Sequence, residues 1–582
     1  MKKLIRNPLL YLLFLLAVAY LIIVPSKTEF FEVKAIRNNK TENVKLPYSN
    51  SSDANEVFFI SFNLLTKNKS AKFNIIPDNC IEEILINGEK FPLDGIDGLC
   101  DYHKGAYFDF TKYTQKGLNH FEFRILNHGG PGGLRVETPY RGFKSLSIMH
   151  YVFALLFLLS TALILRKIKF RFIAISIILL GIAVRLILYS YVGPTQYSYD
   201  TGGHLEYIKI ISEEYRMPKI NEGWSTYHPP LYYIASAAVK KLSDIYDPNI
   251  SNRILQQFNL LLSFGCIIFG VALVIRLFGN GWSAYLTALV SVLWPGFVLA
   301  APRIGNDSLF YFGALFCMFF AQKYWQMHRS SDVLLASIGA AIALAAKSTG
   351  LVILVAWVII CAFGSLRFLK MHSLRTLLIS AFIIALSLGF SNYRTAVDIY
   401  EGNKAGLVGN VRNLHSGMQV GNKTGNYLYF DLKDYLLESY ASTWTDKGGR
   451  QYFWNFALKS SLFGEFRLWN SPIGHILAGM LSSLLLFVFM LAFWGIIHVK
   501  LKEFPALLFT VLLFAALAYL RINHPYSCSN DFRYIMPALF NLTYFSMRGA
   551  QILEQSRLRK LSYMAMLSFA GLSFIFIVGM GF

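Results

Sequence analysis

The sequence predicts a polytopic α-helical membrane protein with about thirteen transmembrane helices and a β-sandwich domain near its N-terminus. Of the 582 residues, 54% are hydrophobic and 15% are charged, and the mean hydropathy is +0.43. Many windows approach the roughly 20 apolar residues that a helix needs to cross a bilayer. The stretch 26–146 is polar by contrast, and turn residues separate its short β-rich runs. The long uncharged runs exclude an ordinary soluble protein.

The first apolar segment, Leu9–Val24, follows the basic residues Lys2, Lys3 and Arg6. A secretory signal peptide has the same layout but ends in a small-residue cleavage site. Because no such site stands out before Ser26, residues 1–25 are predicted to be a retained transmembrane anchor.

Residues 26–146 are predicted to form an extracytoplasmic β-sandwich. The β-rich runs, which turn signals such as Asn87-Gly88 separate, are 57–65, 71–76, 83–86 and 120–127. The pattern ILING with the later KGLNHFEFRILNHGG resembles the galactose-binding-like jelly roll of many carbohydrate enzymes; a purely structural sandwich is the alternative. Cys80 and Cys100 would form a disulfide if this domain is exported.

Further spans are predicted along the rest of the chain, at 148–165, 172–192, 254–277, 282–300, 308–325, 332–346, 350–365, 375–391, 475–498, 505–520, 534–548 and 561–580. Residues 147–170 hold the first of these spans and a basic cytoplasmic loop. The domains that follow are a core of helices (171–391) with a long outer loop (193–253), a long extracytoplasmic loop (392–474) and the C-terminal helices (475–582). The 392–474 loop is rich in Tyr and Trp, which indicates a folded lid at the membrane interface.

The distribution of charge predicts the orientation of the spans. The net charge is +21, yet the basic residues cluster at segment ends, as at 166–169 and 557–560, so no nucleic-acid partner is expected. Cytoplasmic loops are enriched in Lys and Arg. If the N-terminus is cytoplasmic, alternation of the spans puts these basic loops inside and the β-sandwich outside. We expect an integral protein of a bacterial inner membrane whose active site faces the periplasm or exterior.

The first long outer loop carries a candidate general base. Asp200 and His204 lie four residues apart and would share one face of a helix, and a His228-Pro229-Pro230 turn follows in the same loop. A carboxylate held by such partners can take a proton from a hydroxyl nucleophile. The alternative is that Asp200 only caps the helix that follows it.

Four basic residues stand where the orientation rule expects few. Arg303, Lys347, Arg521 and Arg533 all fall in short loops of the predicted outer face. Ionisable groups at such positions are candidates for binding an anion. Each of them could instead be a long side chain that reaches the interface from a helix end.

Several motifs on the predicted outer face together carry a family resemblance. Besides Asp200, the motifs are Tyr227-His228-Pro229-Pro230-Leu231-Tyr232-Tyr233, Arg303-Ile304-Gly305-Asn306-Asp307, Ala346-Lys347-Ser348-Thr349-Gly350 and Asp531-Phe532-Arg533-Tyr534-Ile535-Met536-Pro537. This ordered set resembles the GT-C glycosyltransferases, and within them the protein O-mannosyltransferase and aminoarabinose-transferase group. The resemblance covers about residues 170–548.

The resemblance implies a polyprenyl-phosphate-linked sugar donor and transfer of the sugar to a glycan, lipid or protein acceptor on the outer face. Asp200 would be the general base of an inverting displacement, and Lys347, Arg533 and Arg303 would bind the donor phosphate. The residues that would bind or orient the sugar or acceptor are His204, Glu206, Tyr227, His228, Asn306, Asp307, Tyr534 and His524. Asn306 and Asp307 could instead cap the following helix, and His524 could be structural.

A metal is not required by this interpretation, although Asp200, His204 and His228 have side chains of the types that bind a divalent metal. Their spacing matches no tight metal motif. The family's second acidic residue in the first loop is absent, because Thr201 follows Asp200. This departure weakens a metal-dependent mechanism more than it weakens the base assignment.

Three other functions remain open from the sequence. One is an O-oligosaccharyltransferase or glycan polymerase of the same fold, which would need a larger donor pocket. Another is a transporter or flippase for lipid-linked sugars, although transporters carry ionisable residues near the middle of their spans. The third is a non-catalytic scaffold whose β-sandwich binds surface glycan.

Overall fold

A computed structural model describes residues 30–137, 155–166, 171–246, 251–368, 374–400, 419–441 and 450–580, with short gaps at 39, 45, 47, 53–54, 67–70, 102–104, 129, 158, 162, 165, 195 and 470. The predicted anchor 1–25 lies outside the described residues. The predicted span 148–165 is described only in part, and its described residues 155–157, 159–161 and 163–164 are helical.

The N-terminal region folds into two antiparallel sheets. The strands are β1 (Phe30–Arg37), β2 (Lys40–Asn43), β3 (Tyr48–Ser52), β4 (Glu56–Thr66), β5 (Lys72–Asp78), β6 (Cys80–Ile86), β7 (Glu89–Lys90), β8 (Ala106–Asp109), β9 (Gly117–Asn127) and β10 (Gly130–Glu137). One sheet has the order β2-β1-β4-β9-β6-β7 and the other β3-β10-β5-β8. Side chains of both sheets enter one apolar core, in which the Phe62 and Phe121 rings stack with centroids 5.3 Å apart. Cys80 and Cys100 are joined by a disulfide.

The rest of the described chain is helical. The helices are α1 (Phe172–Tyr191), α2 (Thr201–Glu214), α3 (Leu231–Tyr246), α4 (Ser251–Phe278), α5 (Trp282–Val292), α6 (Pro295–Leu299), α7 (Asp307–Met327), α8 (Ser330–Ala346), α9 (Gly350–Phe368), α10 (Leu374–Tyr400), α11 (Gly425–Leu428), α12 (Leu432–Leu437), α13 (Phe453–Phe463), α14 (Pro472–Ile497), α15 (Phe504–Asn523), α16 (Leu539–Ile552) and α17 (Ser556–Gly579). Two 3-10 helices, Leu501–Glu503 and Phe532–Ala538, precede α15 and α16.

Seven helices in the described part of the chain are long and apolar enough to cross a membrane, and two shorter apolar helices accompany them. The long ones lie at Phe172–Tyr191, Ser251–Phe278, Gly350–Arg367, Leu374–Tyr400, Pro472–Ile497, Leu501–Asn523 and Ser556–Gly579. The protein is therefore an integral membrane protein with a separate sheet region near its N-terminus. The count of thirteen spans stays a prediction.

The predicted span 282–300 is broken into α5 and α6. Pro295 lies at the start of α6, where its missing N–H and fixed φ are tolerated. Arg185 on α1 is fully buried beside the break and donates to the Val292 carbonyl (3.1 Å) and to Ser263 Oγ (2.9 Å). A charged group thus lies within an apolar span, and its bonds to a backbone carbonyl and to a serine hydroxyl give it a structural role.

Helix α10 continues to Tyr400, past the predicted end of its span at residue 391. Its buried residues are Ser380, Ser387, Ser391 and Arg394, so one narrow stripe faces the protein and the other faces are largely exposed. The start of the predicted 392–474 loop is consequently helical, and Arg394 is brought into the protein by that stripe. Parts of this loop, 401–418 and 442–449, lie outside the described residues.

Candidate active site

Asp200 lies at the N-terminus of α2 with a left-handed backbone (φ 51°), a conformation that Asp tolerates better than most residues. Its side chain does not cap the helix, so the capping interpretation is wrong. One carboxylate oxygen, Oδ1, accepts a hydrogen bond from Trp224 Nε1 (2.8 Å), and the other, Oδ2, lies 3.5 Å from Arg533 Nη2. The side chain remains 38% exposed, so a substrate can reach the carboxylate.

Burial and charge act on Asp200 in opposite directions. Burial alone would raise the pKa of this carboxyl group, but Arg533, His204 and the Trp224 hydrogen bond outweigh it, so the pKa lies below its ordinary value. The carboxylate is therefore ionised at neutral pH and can accept a proton.

His204 is buried one turn after Asp200, as their spacing predicts. Its Nδ1 lies 2.8 Å from the Tyr233 hydroxyl, and its ring is roughly parallel to that of His228, with centroids 5.8 Å apart. Burial lowers the pKa of His204 to about 4, although Asp200 opposes the shift. His204 is neutral at pH 7, and it orients the site rather than adding a charge.

Arg533 lies on the 3-10 helix Phe532–Ala538, whose N-cap Asp531 accepts from the Arg533 backbone N–H (2.9 Å). The guanidinium lies over the Tyr199 ring at 3.8 Å from its centroid and donates to the Tyr534 hydroxyl (3.2 Å). Among the described residues its buried Nε has no hydrogen-bond partner, although Asp531 Oδ2 lies 4.0 Å away. A buried donor without a hydrogen bond is one that an anionic ligand can satisfy.

Lys347 lies at the break between α8 and α9 and is buried. It forms an ion pair with Asp307, and its ammonium lies 4.8 Å from the Tyr534 ring centroid. Burial lowers the pKa of Lys347, and Asp307 opposes that shift. The lysine assigned to a phosphate thus already has a carboxylate partner.

Asn306 does not cap α7, although the sequence allowed this. The helix begins at Asp307 without a side-chain cap, and Asn306 Nδ2 donates instead to the Ala346 carbonyl (3.0 Å). Asn306 and Asp307 therefore both bond to the segment between α8 and α9, Asn306 through Ala346 and Asp307 through Lys347.

Arg303 lies on the other side of the cluster. Its Nε donates to the Tyr197 carbonyl (2.6 Å), and its guanidinium lies 4.8 Å from the Tyr199 ring centroid and 5.2 Å from that of Phe466. Arg303 and Arg533 thus both lie against Tyr199.

Tyr227 and His228 adjoin the same cluster, with their ring centroids 4.0 Å apart. Burial raises the pKa of Tyr227 well above its ordinary value, and the charge of Asp200 raises it further. Burial lowers the pKa of His228 well below its ordinary value, so this imidazole is neutral as well.

Two predicted site residues make none of the described hydrogen bonds or ion pairs with Asp200, Lys347 or Arg533. Glu206 is exposed on α2, where its carboxylate lies against Gly223, at 2.7 Å from the position that a Cβ would take. His524 ends α15 through its backbone N–H, which donates to the Leu520 carbonyl (2.8 Å). None of the described hydrogen bonds joins the His524 ring to Asp200 or Arg533, so its predicted role in orienting a ligand has no support here.

Sequence reasoning missed four residues of this site: Tyr199, Trp224, Arg394 and Glu465. Tyr199 directly precedes Asp200, and an aromatic residue beside a candidate base could have drawn notice. Trp224, Arg394 and Glu465 carry no local signal, since each acts through a partner that is distant in sequence.

Glu465 is a second acidic group near Asp200. It follows Gly464, whose φ of 63° suits glycine and whose missing Cβ would lie 2.3 Å from the Tyr199 hydroxyl. Its carboxylate is 3.4 Å from Arg450 Nη1 and is 12% exposed. Burial raises the pKa of Glu465 to about 7, against the opposing charge of Arg450.

This shift predicts a pH-dependent stability. The unfolded chain releases the Glu465 proton near pH 4.5, whereas the folded protein holds it to about pH 7. The folded state thus binds the proton more tightly, so Glu465 should cost wild type about 3 kcal/mol of unfolding free energy, relative to Glu465→Gln, as pH rises between these values. The lowered pKa values of His204 and His228 act in the opposite direction in both proteins and cancel in this comparison. Glu465→Gln should not show this loss. Thermal unfolding in detergent from pH 4.5 to 8 checks the difference, and parallel curves for the two proteins would contradict it.

No group of three or more His, Cys, Asp or Glu side chains is gathered for metal binding in the part of the chain that the structure describes. His204 Nδ1 is already engaged with Tyr233.

Several solved structures are similar to this chain. Archaeal oligosaccharyltransferase AglB from Archaeoglobus fulgidus, in complex with an inhibitory peptide and a dolichol-phosphate, has a TM-score of 0.41 and 13% identity over 70% of this chain and 56% of that chain. Arabinosyltransferase EmbB from Mycobacterium smegmatis has a TM-score of 0.34 and 12% identity over 98% of this chain and 63% of that one. ArnT from Cupriavidus metallidurans bound to undecaprenyl phosphate has a TM-score of 0.39 and 14% identity over 69% and 76%.

This chain spans little more than half the length of the archaeal oligosaccharyltransferase. No family model matches the chain, and no curated protein matches it by sequence.

Proposed function

We propose that the protein is a membrane glycosyltransferase that moves a sugar from a polyprenyl-phosphate-linked donor to an acceptor on the extracytoplasmic face by inverting displacement. One observation carries the proposal: the exposed carboxylate of Asp200 lies 3.5 Å from the guanidinium of Arg533. An ionised base and a fixed cation are therefore adjacent at the end of apolar helices, where a lipid-borne donor would arrive.

Asp200 is the general base in this mechanism. The acceptor hydroxyl gives its proton to the carboxylate while its oxygen forms a bond to the anomeric carbon of the sugar. The bond between that carbon and the phosphate oxygen breaks, and the electron pair leaves with the phosphate on the opposite face. This is the stereochemistry of an inverting glycosidase, with the acceptor in the place of water. It requires the sugar to enter between Asp200 and Arg533 and to part their 3.5 Å contact.

Arg533 stabilises the departing phosphate. A phosphate leaves without a strong acid, but its negative charge must be held, and an arginine can hold two oxygens at once. Lys347 adds a second positive charge, although Asp307 offsets part of it. Arg303 lies over the Tyr199 ring, as Arg533 does, and so adds a third positive charge to this region.

The acceptor side of the site is built from neutral groups. His204 is buried beside the base, Tyr227 and His228 are half-buried, and all three are uncharged at neutral pH. They can donate or accept hydrogen bonds to sugar hydroxyls without competing for the phosphate. The extracytoplasmic orientation is supported by the basic residues at the opposite ends of the spans.

The proposal is tested with the purified full-length protein in lipid nanodiscs. We expect it to release polyprenyl phosphate from polyprenyl-phosphate sugars, measured by mass spectrometry, when an acceptor fraction from the host envelope is added. Release from a polyprenyl-diphosphate oligosaccharide alone would favour the oligosaccharyltransferase alternative. Movement of the intact donor across liposomes without release would favour a flippase and overturn the proposal.

A further inference from the structure

The two oxygens of the Asp200 carboxylate are held by different groups. Trp224 Nε1 donates to Oδ1 at 2.8 Å, whereas Arg533 Nη2 lies 3.5 Å from Oδ2. The guanidinium offers a fork that matches both oxygens of a carboxylate. The indole N–H therefore holds one oxygen back from a two-bond pair with Arg533.

Trp224 sits on a tightly packed loop. Gly203 on α2 abuts it, since a Cβ at Gly203 would lie 2.9 Å from the Trp224 Cβ and 2.7 Å from Ser225 Oγ. Thr226 Oγ1 ties the same loop together by donating to the Ile220 carbonyl (2.8 Å). The indole is 38% exposed, so it forms part of the accessible wall beside the carboxylate.

Arg394 supports this loop from α10. Its Nη1 donates to the carbonyls of Thr226 (2.8 Å) and Pro218 (3.1 Å), and its Nη2 donates to that of His228 (2.5 Å). Arg394 is buried, with 8% of its surface exposed, and these three acceptors are all backbone carbonyls. Buried guanidinium bonds of this kind fix the course of the loop before Trp224 and after it.

We propose that Trp224 is a positioning residue that keeps the Asp200 carboxylate from closing on Arg533, and that Arg394 is the support that places Trp224. This inference rests on the proposed function. Without the indole N–H, the carboxylate can turn both oxygens to the guanidinium. It would then be a poorer base, and it would occupy the donors that the phosphate needs.

Several charged and titratable groups face Asp200, and any of them could also move if the loop shifts. They are His204, Tyr227, Lys347, Glu465, Cys528 and Arg533. The test must therefore separate loss of one N–H from displacement of the loop.

Trp224→Phe removes the N–H and keeps a ring, whereas Trp224→Ala removes both. We expect W224F to lower kcat about tenfold and to weaken binding of undecaprenyl phosphate, with the KM for the acceptor unchanged. In the D200N background the same change should have no further effect on binding. Trp325→Phe is the matched control, because Trp325 Nε1 donates to the Leu501 carbonyl (2.8 Å) without contact to the site.

Arg394→Met should reproduce the W224F defect, and Arg394→Lys should restore only part of it, because an ammonium cannot reach three carbonyls in one plane. A purely structural role for Arg394 would instead lower expression and thermal stability without this split between kcat and KM. That outcome would overturn the part assigned to Arg394.

A readout without turnover separates this inference from the proposed function. The emission of Trp224, taken as wild type minus W224F, should change when Asp200→Asn is introduced into both proteins. If that difference spectrum is unchanged and W224F retains kcat within twofold, the positioning role is wrong. If no polyprenyl-phosphate sugar is a substrate but the difference spectrum shifts, the function fails and the Trp224–Asp200 contact stands.

Discussion

Replacement of Asp200 by asparagine is expected to lower the rate of glycosyl transfer by about 10²- to 10⁴-fold without unfolding the protein, which is the range for loss of a general base. An amide has the shape of the carboxylate, and its oxygen can still accept the Trp224 N–H. It cannot take the acceptor proton at neutral pH. The defect should therefore lie in kcat, with the KM for the acceptor little changed.

The same substitution should not weaken binding of the lipid phosphate and should strengthen it. In wild type the carboxylate lies 3.5 Å from Arg533 and competes with a phosphate for the guanidinium. Removal of its charge leaves Arg533 free for the anion. Binding of undecaprenyl phosphate to the two purified proteins measures this effect, and weaker binding by the variant would contradict it.

Asp244→Asn is the matched control. Asp244 lies on α3 and pairs with Lys240 at 2.6 Å, with 22% of its side chain exposed. We expect this variant to keep transfer within twofold of wild type. A D200N protein as active as the control would exclude Asp200 as the base.

The gathering of distant residues could be predicted because a membrane limits where loops can lie. Asp200, Lys347 and Arg533 are far apart in sequence, but alternating spans return each of their loops to one side. Three of the four exceptions to the charge rule, Arg303, Lys347 and Arg533, lie in the cluster. The fourth, Arg521, is buried and donates to the Arg450 carbonyl (2.9 Å). Helical spacing also predicted that His204 would follow Asp200 into the site.

The pairings within the cluster could not be predicted. Nothing local to Lys347 indicates that Asp307 will be its partner, and nothing near Asp200 points to Trp224. These bonds depend on how separate helices are shifted along their axes and rotated relative to one another. The hydropathy of the sequence does not determine either quantity. For the same reason the sequence could not show that Glu206, two residues after His204 and so on the opposite face of α2, lies exposed against Gly223.

The residue pattern within each strand or helix also explains which of these elements could be predicted from the sequence. Strand β9 alternates clearly between buried and exposed residues, so its period of two was visible. Strands β3 and β10 are rich in Ser and Gly and gave no such pattern. Helix α10 was predicted too short because its last residues are polar, although Arg394 bonds the neighbouring loop and the helix continues.

Replacement of Arg533 by methionine should lower transfer by about 10²- to 10³-fold, the range for loss of one group that stabilises developing charge. Binding of undecaprenyl phosphate should weaken, which is the opposite sign to that expected for D200N. Arg533→Lys should recover part of the binding, since an ammonium supplies the charge but not the fork. Arg124→Met is the control, because Arg124 is 45% exposed and pairs with Glu82 in the N-terminal sheet region.

The pH profile supplies a second test of the Arg533 assignment. Burial raises the pKa of Asp200 and Arg533 is the largest of the effects that lower it, so the pKa must rise when the guanidinium is removed. Activity that depends on the ionised carboxylate is lost as pH falls through this pKa. The acid limb of kcat/KM in R533M should therefore lie at higher pH than in wild type.

These measurements together distinguish a base next to a phosphate site from a structural ion pair. If Asp200 and Arg533 only held two loops together, both single variants would lower thermal stability, and their effects on lipid phosphate binding would have the same sign. Opposite signs on binding with a common loss of turnover require that the two groups act on different parts of one reaction. An R533M protein that binds undecaprenyl phosphate as tightly as wild type would place the leaving group elsewhere, with Lys347 or Arg303 as its remaining cations.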